Sequence, residues 1–513
     1  MACNRRVLAL APTIMKAVLD LSPAPHCPAQ FNLADYILSA GHATPNKMAL
    51  TVYEDGHPQR YTYAALAQAV LGAATGLKAA GVGAGDRVML RIGNTVDFPV
   101  CFLALAALDA IAMPTSVALS PREIQALIDT TSPAGIIFDS AYPCDGFYGL
   151  QVDVAQVRNF ADLPATQPIM GDPNRPGYII FTSGTSGQPR AVLHAHRAVW
   201  ARRMMWIGWY DLRSTDVMMH AGAFNWTYTL GTGLMDPWAI GATAVIPNTQ
   251  DPAQLWDIMR KERASIFAAA PGIYRRLLTR HDASPVSSLR HALSAGDILP
   301  VSLREAWKAQ TNTPLCEAFG MTECSTFLSA PPSAHRSLSA QPGRKIAIMA
   351  SDGPASRGEI GAIAVDHKDP GLMLGYVYSF ELVLPLRDGW FVTADQAVMH
   401  DDDSLSFAGR SGDMMNAGGY RVAPREIEQV LEQMSSVQEV GVCEVEVRPE
   451  VSVIAAFVVC DADFDETTLR DLAQQHLAGY KNPRIVQQVN QLPRNSNGKL
   501  NRVALPQLWN SEQ

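Results

Sequence analysis

Short, densely apolar runs alternate with helically spaced stretches through most of this chain, and that alternation narrows the fold more than any other feature. Arg87–Arg91, Gly135–Phe138, Tyr178–Thr182, Ala242–Ile246, Ser265–Ala269 and Ala292–Ser294 read as brief buried strands. Phe98–Ile111, Ala195–Trp206 and Pro252–Glu262 carry helical spacing. A strand that is apolar on both faces must be covered by helices on both faces, so the pattern predicts α/β layering. From Pro342 to Asp395 the runs shorten and turns fall at Asp352-Gly353, Gly358 and Asp388-Gly389, which predicts a more antiparallel region. After Gly409 the pattern changes again. Helical spacing over Pro424–Met434 and Thr467–Leu477 flanks strand-like Val437–Val447 and Val451–Val459. The expected organisation is a large N-terminal domain of layered α/β subdomains, residues 1–409, and a small α+β C-terminal domain, residues 410–513, with the boundary at Arg410–Gly412.

A chain of 513 residues with 48% apolar and 18% charged side chains has ample material for buried cores. Its net charge of −8 leaves no basic footprint for nucleic acid or an anionic membrane, so a phosphate-bearing ligand must be held by local groups. No apolar run reaches the ~18 residues that span a bilayer. The eight cysteines form no CxxC pair and fit a reducing, cytoplasmic setting. Met1–Leu21 carries Arg5 and Arg6 ahead of an apolar stretch, but Pro12 and Lys16 interrupt it; an N-terminal helix or loose tail is expected there.

Five segments carry chemistry. In Tyr178-Ile-Ile-Phe-Thr-Ser-Gly-Thr-Ser-Gly-Gln-Pro-Arg190 an apolar strand runs into a loop of glycines and hydroxyls closed by a base. Gly184 and Gly187 let successive N–H groups turn into one concavity, and Thr182, Ser183, Thr185 and Ser186 add hydroxyl donors suited to triphosphate oxygens. It is not a Walker loop, lacking GK[ST], nor a GxSxG nucleophile elbow. A solvated Ser/Gly turn would look similar. Glu317-Ala-Phe-Gly-Met-Thr-Glu323 offers a flat ring for a base and a hard oxygen for Mg²⁺, although a packed Phe and a solvated Glu would read alike. Trp390-Phe-Val-Thr-Ala-Asp395 reads as a strand ending in an acid that could accept from ribose hydroxyls. The fourth is the glycine-rich Gly409-Arg-Ser-Gly-Asp-Met-Met-Asn-Ala-Gly-Gly-Tyr420 and its continuation to Glu428; the last is Leu492-Pro-Arg-Asn-Ser-Asn-Gly-Lys499 through Arg502.

In this order the five segments resemble the adenylate-forming superfamily of acyl-CoA synthetases, luciferases and stand-alone adenylation domains, from about Phe31 to Leu508. Softer matches lie at Ser294-Ala-Gly-Asp297 and Tyr480-Lys-Asn-Pro483. The resemblance implies that Thr182–Arg190 wraps the ATP phosphates, Phe319 stacks on adenine, Thr322 contacts phosphate and Glu323 binds Mg²⁺. It further implies that Asp395 and Arg410 hold ribose and that Lys499 bridges the acid and the α-phosphate. Gln188 and Arg190 stand where lysines are usual, and Ala191 where a glycine is; Arg190 keeps the charge.

The same resemblance makes the C-terminal domain mobile about a hinge near 410–412, with Gly412 where Asp or Lys is usual, and assigns Gly418 and Gly419 to the tunnel for the pantetheine arm of coenzyme A. The acyl pocket would involve Trp226, Tyr228, Gly296, Gly320 and Met321. Gly320 replaces the tryptophan that closes the pocket of acetate-specific relatives. The pocket is expected to be apolar, without an anchoring charge, and to suit an aromatic, alicyclic or medium-chain acid. The function implied is formation of acyl-AMP, then acyl-CoA, by a monomer or homodimer. Two alternatives are a stand-alone enzyme that loads a carrier protein and a non-catalytic nucleotide-binding relative.

Overall fold

The computed structural model describes residues 15–144, 146–182, 190–279, 286–332, 338–378, 381–417, 420–448, 451–495 and 499–510. Among them, two large sheets and a smaller antiparallel one form the body that precedes residue 410. One sheet runs, edge to edge, through Glu381–Val383, Gly375–Tyr378, Arg190–Ala195, Pro176–Thr182, Ile111–Pro114, Arg87–Arg91, Gly135–Phe138 and Leu150–Asp153. Its centre is parallel, while Arg190–Ala195 pairs antiparallel with both of its neighbours. The second orders Ser339–Ala340, Ser325–Ser329, Leu315–Met321, His291–Ser294, Ile266–Ala269, Val217–His220, Thr243–Ile246, Met48–Glu54 and His57–Thr62. Six consecutive strands, Leu315–Met321 through Met48–Glu54, are parallel, so their carboxyl ends line one edge. That is where open α/β sheets bind ligands.

Helix Asp97–Ala107 is buried at every position; Phe98–Ala107 is apolar all round and must be enclosed, while Asp97 at its start accepts from Arg158. It stops short of the expected Phe98–Ile111. Asp109 takes a left-handed conformation, φ 60°, and its carboxylate accepts from Arg175 Nε at 2.6 Å. Ile111–Pro114 is a central strand. One apolar run had hidden a helix, a turn and a strand, because burial on all sides erases the periodicity that tells them apart.

The antiparallel sheet orders Val18–Asp20, Lys345–Ala350, Ile360–Asp366, Trp390–Met399 and Leu405–Arg410. This fits the antiparallel reading of Pro342–Asp395 and corrects two others. Val18–Asp20 is an edge strand paired with Lys345–Ala347, not helix or tail, while residues 1–14 lie outside the described residues. Strand Trp390–Met399 runs through Asp395, which therefore sits mid-strand and not at an end.

Beyond Gly412, hairpin Met415–Ala417/Tyr420–Val422 and the sheet Val437–Arg448, Val451–Cys460, Ile485–Gln488 pack with helices Pro424–Leu431 and Glu466–His476 around Val442, Ala456, Val458 and Leu469. Among the described residues no helix is long and apolar enough to cross a membrane, and seven cysteines are free thiols.

Candidate active site

The glycine- and hydroxyl-rich segment after Tyr178 begins and ends on paired strands. Thr182 and Arg190 are cross-strand partners, so the two ends of the loop are held at one rung of the ladder. Ser183, Gly184, Thr185, Ser186 and Gly187 lie outside the described residues, as do Gly418 and Gly419.

Strand Arg190–Ala195 also pairs with Gly375–Tyr378, which sets Tyr376 opposite Val192. The Arg190 guanidinium lies 5.3 Å from the centroid of the Tyr376 ring, a cation–π distance. The Tyr376 hydroxyl donates to Glu323 Oε1 at 2.7 Å. Burial, then the Glu323 carboxylate, raises the Tyr376 phenol above its ordinary pKa, so it remains a donor. Glu323 is also fixed by its backbone, whose carbonyl accepts from Met373 N–H at 2.7 Å. Its Oε2 takes no described hydrogen bond, leaving a half-buried hard oxygen. One such carboxylate fits Mg²⁺, which keeps several waters and shares phosphate oxygens. Thr322 precedes Glu323 in the turn, beside the His194 ring.

Phe319 is flanked by Phe327 at 5.6 Å and Phe407 at 5.4 Å. Gly320 sits at an irregularity between strands Leu315–Met321 and Ser325–Ser329. A Cβ there would come within 2.6 Å of the Ser325 carbonyl oxygen and 2.7 Å of Thr326 Cα, so the hairpin itself needs glycine. Gly296 ends its turn with φ 93° and open space around it, a left-handed conformation that suits glycine. Trp226 and Tyr228 are half-buried, and the Tyr228 hydroxyl donates to Leu293 O at 3.0 Å. Met321, also half-buried, packs against the core of the antiparallel sheet.

Asp395 and Arg410 are direct cross-strand partners, and Arg410 Nε donates to Asp395 Oδ1 at 3.0 Å. The carboxylate is buried while the guanidinium is about half exposed, so the pair presents a wet face to a ligand. Lys499 arrives at the same place from the far end of the chain. Asp297, Arg410 and Asp395 all lie within electrostatic reach of its ammonium. Desolvation lowers its pKa below the ordinary lysine value, Asp297 and Asp395 pull it back up, and Arg410 lowers it further. The side chain keeps accessible surface although protein crowds its tip, which is the character of a cleft. Asn495 N–H donates to Lys499 O at 2.9 Å, and Lys499 N–H donates to the Asn495 side-chain Oδ1 at 3.0 Å, which ties the two residues together.

Three features were not read from sequence. Tyr376 stands 53 positions from Glu323. Asp297 closes the segment Ser294–Asp297, and its residue type alone does not reveal that it faces Lys499. The third is a buried Arg202–Asp236 ion pair, 2.6 Å, with both side chains 2% exposed. Tyr210 and Thr232 also bond to Arg202, which reaches across to Ser325 beside the Glu323 turn. It lies between two π-helical stretches, Trp206–Tyr210 and Thr229–Met235, and such bulges often mark functional sites. A lone Arg in a helical pattern gives no sequence signal for this.

Residues 37–377 match the family described as AMP-binding enzyme, and residues 426–499 match the AMP-binding enzyme C-terminal domain. The chain is 27% identical over 488 residues to a 3-hydroxybenzoate–CoA ligase of Aromatoleum sp., covering 88% of this chain and 92% of that one. It is 30% identical over 349 residues to the mitochondrial acyl-coenzyme A synthetase ACSM3 of Pongo abelii, covering 64% of this chain and 59% of the relative's length. The fold is similar to that of the anthranilate CoA ligase AuaEII in complex with anthranoyl-AMP, with a TM-score of 0.84 at 24% identity over 94% of this chain and 98% of that one.

Proposed function

Since the chain belongs to the AMP-binding enzyme family, we propose that it is an AMP-forming acid–thiol ligase. It converts a carboxylic acid and ATP to acyl-AMP and pyrophosphate, then transfers the acyl group to coenzyme A. One observation carries this reading: the Tyr376–Glu323 pair beside Arg190, and the Asp395–Arg410 pair joined by Lys499, supply groups for each part of the reaction. Asp395 accepts from ribose hydroxyls while Arg410, donating from Nε, holds that carboxylate in place. Phe319 presents its ring to adenine, and Thr182 with Arg190 takes the phosphates. Lys499 offsets the repulsion between an incoming carboxylate and the α-phosphate, the barrier that such a reaction must lower. Mg²⁺, when bound at Glu323, neutralises phosphate charge.

The placement of Lys499 supports a C-terminal domain set for adenylation. Its reorganisation about Gly412, with Gly418 and Gly419 admitting the pantetheine arm, would serve thioester formation. The relatives named for 3-hydroxybenzoate and anthranilate favour an aromatic or alicyclic acid over a short aliphatic one. The direct test is acid-dependent exchange of labelled pyrophosphate into ATP, followed by thioester formation with free coenzyme A against a carrier protein. Absence of acid-dependent exchange across aromatic, alicyclic and medium-chain acids would overturn the proposal. Thioester on the carrier alone would replace the second step.

A further inference from the structure

His220 ends the parallel strand Val217–His220 at the carboxyl edge of the second sheet and is 1% exposed. Neither of its ring nitrogens has a hydrogen-bond partner, and the same holds for the hydroxyl of Thr229, which is 0% exposed. The two sit together: a Cβ built on Gly222 would lie 2.2 Å from Thr229 Oγ1 and 3.1 Å from His220 Nδ1. Two polar neighbours, Tyr228 and Arg202, are already satisfied. The Tyr228 ring stands nearly perpendicular to the imidazole, centroids 4.4 Å apart at 75°, with its own hydroxyl committed to Leu293 O. Ala268, whose side chain carries no polar atom, is the cross-strand partner of His220. Arg202, nearby, is fully occupied by Asp236, Ser325, Tyr210 and Thr232.

A neutral imidazole always carries one donor and one acceptor. The aromatic face of Tyr228 can absorb a ring N–H, but it offers nothing to the acceptor nitrogen. Buried polar atoms left this way cost stability, so each calls for an explanation. Burial also lowers the His220 pKa to about 3, so the ring is neutral and unsuited to fix an anion. The location matters equally. His220 and Thr229 bracket the Ala221–Tyr228 segment that holds Trp226, at the sheet edge where an acyl tail would lie.

We propose that His220 and Thr229 are specificity-determining residues that recognise an uncharged hydrogen-bonding substituent (hydroxyl, amino or keto) on the acyl tail. This rests on the ligase reading above and replaces a purely apolar tail by one with a polar atom remote from its carboxylate. A site built to bond a hydroxyl discriminates against the analogue lacking it, because its own buried groups are then stranded.

The test uses the full-length enzyme and pairs of acids on benzoate, cyclohexanecarboxylate and medium-chain skeletons. In each pair the hydroxyl, amino or keto group of one member is replaced by methyl or methylene in the other. Acid-dependent pyrophosphate exchange gives kcat/KM for both. The wild type should favour the polar member of its best pair by at least about tenfold. His220→Leu and Thr229→Val should each shrink that ratio, whereas general damage would lower both members together. The wild-type ratio stands as a test even where a variant fails to fold. A best pair turned over equally, or in favour of the methyl member, overturns the proposal while leaving the ligase reading intact; so does a ratio that a folded His220→Leu leaves unchanged, as an ordered water partner would give. Absence of exchange with every acid overturns both.

Discussion

Replacing Tyr376 by Phe removes one oxygen and little else. The ring stays in strand Gly375–Tyr378, so its packing and its 5.3 Å contact with Arg190 persist. What goes is the 2.7 Å donation to Glu323 Oε1. Hydrogen bonds to charged groups contribute about 1.5–3 kcal/mol. At about 1.4 kcal/mol per decade that is roughly 10- to 150-fold in any step that needs Glu323 held still. Because Glu323 is the proposed Mg²⁺ ligand, the loss should fall on kcat/KM for MgATP and on the Mg²⁺ concentration that half-saturates pyrophosphate exchange, with thermal unfolding nearly unmoved. Glu323→Gln should make the added Tyr376→Phe change close to silent, since the two act as a unit. A Tyr376→Phe enzyme within twofold of wild type at limiting Mg²⁺, or a full second loss on top of Glu323→Gln, would refute the coupling.

Lys499→Ala should lower adenylation by at least about a hundredfold while supplied acyl-AMP is still converted to thioester; equal loss of both half-reactions would count against the assignment. As desolvation lowers the Lys499 pKa, its ammonium is lost as pH rises through that lowered value. The alkaline fall in exchange should therefore begin below the range of a solvated lysine, and Lys499→Arg should push it higher if activity survives. Gly320→Ala should destabilise by about 1–3 kcal/mol, because the new methyl meets backbone and not a yielding side chain; an unchanged unfolding midpoint would show that the hairpin can open. Phe319→Ala should raise KM for ATP more than it lowers kcat, and an unaltered KM would remove Phe319 from the nucleotide site.

What the sequence disclosed was whatever is local. Asp395 and Arg410 are 15 positions apart on neighbouring strands, so a motif at each end sufficed to find them. The antiparallel character of Pro342–Asp395 was legible from its turns. The contact of Tyr376 with Glu323 was not, because it exists only after Gly375–Tyr378 adds to strand Arg190–Ala195. His220 and Arg202 are single polar letters in apolar neighbourhoods; whether such a residue is satisfied depends on partners that no spacing reveals. Phe98–Ile111 failed differently, since burial on every side leaves helix and strand with one composition.

The hairpin that presents Arg410 to Asp395 also has a mechanical meaning. Ser411 N–H bonds to Ala394 O, and Asp413 N–H bonds back to Arg410 O, so two backbone ties secure the chain on either side of Gly412. Gly412 meets nothing within 4 Å of where a side chain would start. If the proposed hinge lies there, it is loose only at its pin, and its bracket is the strand that carries the proposed ribose-binding pair. On that proposal, turning the small domain would load the Arg410 rung first, so departure of AMP and reorientation of the tail would be coupled through a single β-ladder.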